Sequence, residues 1–300
     1  MKKAGLQYVF ALLLLSFISP VIAEDGSQAY VPERWWPSEW GADDQLGALN
    51  RLDANTVLGA ASLIQRGVIY DMTRVYSEDM PLFSLTPQAR KFTITIPGAP
   101  SWGPLGKNKL VWNEEFISGH LGQDGTQFDA LCHMGTVKGK PGDLNGIIYY
   151  NGHSHADIAT GRGFSKLGVE KVTPIFTRGV LIDIAGYKGR MMERSEEFSL
   201  EDIRGAMKKQ GMSEDDIREG DALFYHTGWG SLWGKDNARF NSGTPGMSDS
   251  AGDWVVEKKV VLVGSDNWAV EAIPGPDPDN FAPNHQKFLV ENGIYIMENL

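Results

Sequence analysis

The residues with the most chemistry in the least chain are Gln123-Asp124-Gly125-Thr126-Gln127-Phe128-Asp129-Ala130-Leu131-Cys132-His133. An extended strand points alternate side chains to one face. Gln123, Gln127, Asp129 and His133 are separated by even numbers, so an extended run aims all four the same way. Four polar side chains converging from one strand make a poor core, because buried polar groups must find partners. They make half of a metal site or of an acid–base site; a solvent-facing strand edge is the other reading. Cys132 beside His133 invites a nucleophile reading. Strand neighbours face opposite ways, however, which favours a small buried thiol. His153 and His155 form a second polar pair, read either as ligands on one strand face or as hydrogen-bonding loop residues.

A metal site needs ligands from more than one element, and the C-terminus offers two. His285 opens a helix expected over residues 284–292, and Glu298 sits on a last strand expected over 294–300. Between these ends, two strands expected over 221–229 and 260–266 run into polar turns, where strand-end loops commonly carry function. Trp229 and Asp266 lie in those turns and are substrate-side candidates, with core packing and a turn cap as their ordinary roles. The segment Pro32-Glu33-Arg34-Trp35-Trp36-Pro37-Ser38-Glu39-Trp40-Gly41 cannot be a regular helix between its prolines. It reads as an aromatic wall over a pocket, with Trp36 as a substrate contact, or as ordinary packing.

The central run resembles the signature of the metal-dependent cyclase-like hydrolases, the family of bacterial kynurenine formamidase and isatin hydrolase. That signature reads His-x-Gly-(Thr/Ala)-His-x-Asp-x-x-x-His. Gly125, Thr126, Asp129 and His133 match it, while Gln123 and Gln127 stand at its first two histidine positions. The tail is similar too: His285-Gln286-Lys287-Phe288-Leu289, then Gly293-Ile294, then Glu298-Asn299-Leu300. The likeness spans residues 32–300. It implies a swivelling β/β/α fold with a central β-barrel-like core. It implies Asp129, Glu298 and His285 as ligands of a divalent ion, and His133 as general acid/base, or as a ligand if a second ion binds. The resemblance places Gln123 and Gln127 among the ligands as amide oxygens. Such a set suits Mn2+ or Mg2+, or a loosely held Zn2+, better than a nitrogen-rich site would. The implied activity is hydrolysis of a cyclic amide, an N-acyl amine or a lactone by a metal-activated water, in a homo-oligomer. The reading from another class is a catalytically inactive, metal-free relative that binds a small ligand.

Elements that could position these residues are legible along the chain. Residues 53–65 read as a helix capped by Asp53, with Val57, Ala60, Ala61 and Ile64 at core spacing and Gly67 after it. Short strands are expected over 68–72, 92–96 and 110–117, long loops over 77–90 and 97–109, and glycine-rich turns over 134–152. The run 179–184 reads as a buried strand, and Ser199 caps a helix that Gly211 ends. Strands outnumber helices, which points to one α+β domain.

Composition sets the outer bounds. The 300 residues are 42% hydrophobic and 22% charged, ordinary for a globular chain. A formal charge of −10 argues against nucleic acid as a partner. Lys2 and Lys3, an apolar run over 8–18 and Val21-Ile22-Ala23 read as a secretory signal over residues 1–23, too short to span a bilayer. The expected protein is therefore periplasmic or secreted, with one domain over 24–300 and no membrane span after signal removal. A single cysteine, Cys132, excludes an internal disulfide.

Overall fold

The computed structural model describes residues 34–84, 90–95 and 103–300. The chain divides into Met1–Tyr30 and Val31–Leu300, and all described residues belong to the second unit. The expected export signal and much of the expected 97–109 loop fall outside the described residues.

Five strands form the main sheet: β1 Gln127–Asp129, β2 Gly179–Asp183, β3 Ala222–His226, β4 Leu262–Ser265 and β5 Tyr295–Glu298. Their order across the sheet is β1-β5-β4-β3-β2. The strands β2 to β5 are parallel, and β1 joins β5 antiparallel. β4 lies in the middle and is buried at every position, as a strand covered on both faces must be. β2 was expected to be wholly buried. It is an edge strand instead: Val180 and Ile182 face in, while Leu181 faces out.

Three helices are placed by capping, and two of them also by an apolar face. In α1, Ala54–Ala61, the Asp53 carboxylate accepts from Thr56 N and the Thr56 hydroxyl accepts from Asp53 N. In α2, Leu200–Lys209, Ser199 and Asp202 cap each other in the same way, and Ile203, Ala206 and Met207 turn inward. The helix α3, Asp249–Glu257, is not among the expected ones; it buries Ala251, Gly252, Trp254 and Val255. α2 and α3 are carried on the crossovers β2–β3 and β3–β4, which parallel pairing requires.

Some expectations do not hold. α1 has its cap but buries no residue, and Ile64 beyond it is 67% exposed. Of the helix residues only Thr56 and Ala60 are partly covered. Residues 68–72 form no strand, since no neighbour offers them a ladder. Within 110–117 only the end is strand, in Phe116–Ser118, which pairs with Thr93–Thr95. The expected C-terminal helix is present but irregular: an α-helical turn, Pro283–His285, runs into a π-helical stretch, Gln286–Glu291. The described strands make an open sheet with β1 and β2 at opposite edges, accompanied by two-stranded ribbons, and no closed barrel. No described helix is long and apolar enough to cross a membrane.

Candidate metal centre

The run 123–133 is not one extended strand. Only Gln127, Phe128 and Asp129 are strand, with turns on both sides. Gln123 follows a turn closed by its own N–H on His120 O at 2.8 Å, and His133 follows one closed on Ala130 O at 2.9 Å. The side chains still converge, because β1 lies against β5 with Glu298 opposite Gln127 and Ile296 opposite Asp129. Gln127, Asp129 and Glu298 therefore share one buried face at the carboxyl edge of the parallel strands, where ligand sites of such sheets form.

The two ends of the chain's motif pair are tied together by backbone. Thr126 Oγ1 donates to Asn299 O at 2.7 Å, and Asn299 Nδ2 donates to Gly125 O at 2.8 Å. Tyr76 closes over this turn and donates to Thr126 O. Gly125 sits at φ +67°, and a Cβ there would lie 2.2 Å from the Tyr76 ring, so only glycine fits. His285 arrives from the other side. Its turn is pinned by Asn284, whose Nδ2 donates to Met247 O at 3.0 Å. Asn284 reaches in over Gly252 of α3, where a Cβ would lie 1.9 Å from its Oδ1.

The donor atoms are arranged as a cation site. His285 Nε2 lies 3.4 Å from Glu298 Oε1 and 3.8 Å from Asp129 Oδ2. Those two carboxylate oxygens are buried and have no hydrogen-bond partner among the described residues. Four donors at metal bond lengths stand about 3.4 Å apart in a tetrahedral shell, so the spacing is near that of a ligand set. His133 joins on the cavity side, its Nε2 3.9 Å from Asp129 Oδ1. One donor atom each of Asp129, His133 and His285 lies within 4.8 Å of the others.

One residue of this centre was missed. Glu271 is buried, accepts from His285 N at 3.1 Å, and its Oε1 lies 2.7 Å from His285 Nδ1. A carboxylate behind a ligating imidazole fixes the tautomer that leaves Nε2 for the ion. Nothing in the spacing of Glu271 within an apolar stretch marks it. The surrounding acids also set the charge of His285, and an ion would take the place of the proton they hold on it. Burial disfavours charge on His285, but Glu271, Glu298 and Asp129 outweigh it and lift its pKa to about 10. Burial, followed by the neighbouring Asp129, pushes the Glu298 carboxyl well above the usual range. Burial also holds His133 below its ordinary value against the pull of Asp129, so it is mainly neutral near pH 7. Three carboxylates around one imidazole create a field that calls for a positive charge.

This polar floor opens into a cavity walled by Pro81, Phe83, Phe240, Trp268, Ile273 and Phe281, with Arg90 at its side. Phe83 and Trp268 stack with centroids 3.4 Å apart. Of the substrate-side candidates, none lines the cavity. Trp229 is fully buried behind it and donates to Phe240 O, as Trp268 does. Asp266 caps the turn before Trp229, accepting from Thr227 N and Gly230 N. Trp36 packs over Gly152 and against Trp35. His155 pairs with the Tyr149 hydroxyl, away from the centre. Cys132 packs on the core, and burial raises its thiol pKa.

A family model for cyclases matches residues 70–272, which include Asp129 and His133 and end before His285. A crystal structure of a novel cyclase is 30% identical, with TM-score 0.72 over 87% of this chain and 84% of that one. Isatin hydrolase A from Ralstonia solanacearum is 21% identical, with TM-score 0.53 over 82% of this chain and 84% of that one. An isatin hydrolase bound to the product analogue thioisatinate is 19% identical, with TM-score 0.53 over 83% and 86%. At those two identities the likeness concerns the fold. No curated protein sequence matches the chain.

Proposed function

The chain belongs to the cyclase family, and on that premise we propose that it is a metal-dependent hydrolase. The observation that carries the reading is the pair of orphaned carboxylate oxygens, Asp129 Oδ2 and Glu298 Oε1, facing His285 Nε2. Buried acceptors without donors are costly unless a cation satisfies them. Asp129, His285 and Glu298 would hold the ion, Mn2+ or Zn2+. A divalent ion bound there would lower the pKa of a bound water and polarise a carbonyl.

The rest is done by this chain's own groups. The wall of Phe83, Phe240 and Trp268 would take the flat apolar part of a substrate and exclude water from it. His133, neutral and at the cavity side of the centre, would accept a proton and pass it to the leaving nitrogen or oxygen. Arg90 lines the same cavity and carries the charge that a carboxylate product would meet. The substrate class that fits is a cyclic amide, an N-acyl amine or a lactone, since each releases a carboxylate by attack at one carbonyl. The isatin hydrolases of similar fold are named for acting on such a cyclic amide. We propose further that the mature chain is exported. We also propose that it forms a homo-oligomer, which would give exposed Leu58, Ile69 and Tyr70 a partner. Light scattering on the purified chain tests the assembly.

The test of activity is a panel of formyl amides, lactams and lactones assayed before and after chelation. Turnover lost on chelation and restored by Mn2+ or Zn2+ supports the reading. A protein that binds panel members tightly and cleaves none, with no metal, would instead be the metal-free binder.

A further inference from the structure

Gln123 and Gln127 occupy positions where the signature has imidazoles, yet they do not present ligand atoms to the centre. Gln127 Nε2 lies 2.8 Å from Glu298 Oε2 and 3.4 Å from Asp129 Oδ1. Gln123 Nε2 lies 2.7 Å from Gly122 O, 3.0 Å from Asp129 Oδ1 and 3.2 Å from His133 Nδ1. Which end of an amide faces a neighbour is decided by what the neighbour can accept or donate. A carboxylate that is to hold a cation is ionised, and like a backbone carbonyl it only accepts. An amide oxygen turned to any of them would set lone pair against lone pair, so the N–H groups must face inward.

We propose that Gln123 and Gln127 are positioning residues that act through the carboxylates and are not ligands. Each donates to one oxygen of a ligand carboxylate, Asp129 Oδ1 or Glu298 Oε2. The other oxygen of each carboxylate is then left facing His285 Nε2. The inference deepens the metal-centre reading and rests on it. Its physical consequence is a site organised before any ion arrives. Asp129 and Glu298 are two buried acids on one face, which repel each other when both are charged. Amide donors relieve that repulsion without an ion. An imidazole at either place would offer one N–H and compete for the ion with its other nitrogen.

The experiment is side-chain amide NMR on glutamine-15N-labelled mature chain, metal-free and with diamagnetic Zn2+, alongside Zn2+ titrations. Signals are assigned by their loss in Gln123→Met and Gln127→Met. The expected result is two NH2 groups protected from exchange in the metal-free protein and still protected with Zn2+. Gln127→Met should weaken Zn2+ binding about 10- to 100-fold, the usual effect of losing an outer partner, while Asp129→Asn abolishes it. Loss of protection when Zn2+ is added would mean that the amide has turned its oxygen to the ion, and overturns the proposal. So would Gln127→Met abolishing binding as completely as Asp129→Asn. A parent that binds no Zn2+ overturns the metal-centre reading and this inference together; one that binds it and loses protection overturns this inference alone.

Discussion

At the scale of single residues, the proposed centre separates atoms that would hold an ion from atoms that hold those atoms. Glu271 belongs to the second group, since it touches His285 at both backbone N–H and ring Nδ1. Glu271→Gln should keep the fold and lower metal affinity about 10- to 100-fold, by weakening the fixed orientation of the imidazole. Calorimetric titration and circular dichroism of the same samples check both halves. His133 is the more open of the two histidines, with a side chain 23% exposed against 6% for His285. His133→Ala should retain the ion and lose about 10²- to 10⁴-fold in turnover, as expected for a proton-transfer group. If metal leaves with the side chain, His133 is a ligand and proton transfer falls to another group.

At the scale of elements, the parts that were legible in the sequence are those decided locally. The Asp53 and Ser199 caps follow from side chains that reach their own helix start. The apolar run of β4 follows from burial on both faces. What could not be read depended on distant neighbours. The even spacing of 123–133 brought the right side chains together for a different reason: β5 supplies the shared face, and turns bring in Gln123 and His133. Glu271, the burial of Trp229 behind Phe240 and the open flank of α1 are likewise set by tertiary contacts. The seat of His285 is such a contact. Gly252→Ala would push a methyl into Asn284, so α3 and the His285 turn could not keep their spacing. The expected outcome is a folded protein with reduced metal content and a lower melting temperature, seen by elemental analysis and thermal unfolding. Unchanged metal content would show that the turn does not depend on that packing.

At the scale of the whole molecule, one unit, Val31–Leu300, carries the sheet and the centre. Its stability depends on joints far from the chemistry. Arg178 makes a two-pronged pair with the buried Asp221, joining the entrances of β2 and β3, and Asp221 also accepts from Arg218 N at 2.8 Å. Asp221→Ala leaves the partly buried guanidinium with only its bond to Asp216 O and should cost about 2–3 kcal/mol, less than a fully buried pair because Arg178 keeps that acceptor and some water. Denaturant unfolding reads this directly, and metal affinity should not move. The proposed export concerns residues 1–23, outside the described chain. N-terminal sequencing of the secreted chain should begin at Glu24, and an intact Met1 on exported material would contradict a cleaved signal.

The central claim is that Asp129, His285 and Glu298 form a place for a divalent ion. The most direct measurement is the metal stoichiometry of protein purified without chelator, compared with Asp129→Asn under the same conditions. The account predicts about one bound ion per parent chain, since these three residues converge on a single position. It predicts none in the variant, with both proteins folded by circular dichroism. A parent without a divalent ion that also takes none up from Mn2+ or Zn2+, or a variant that holds as much as the parent, would contradict it.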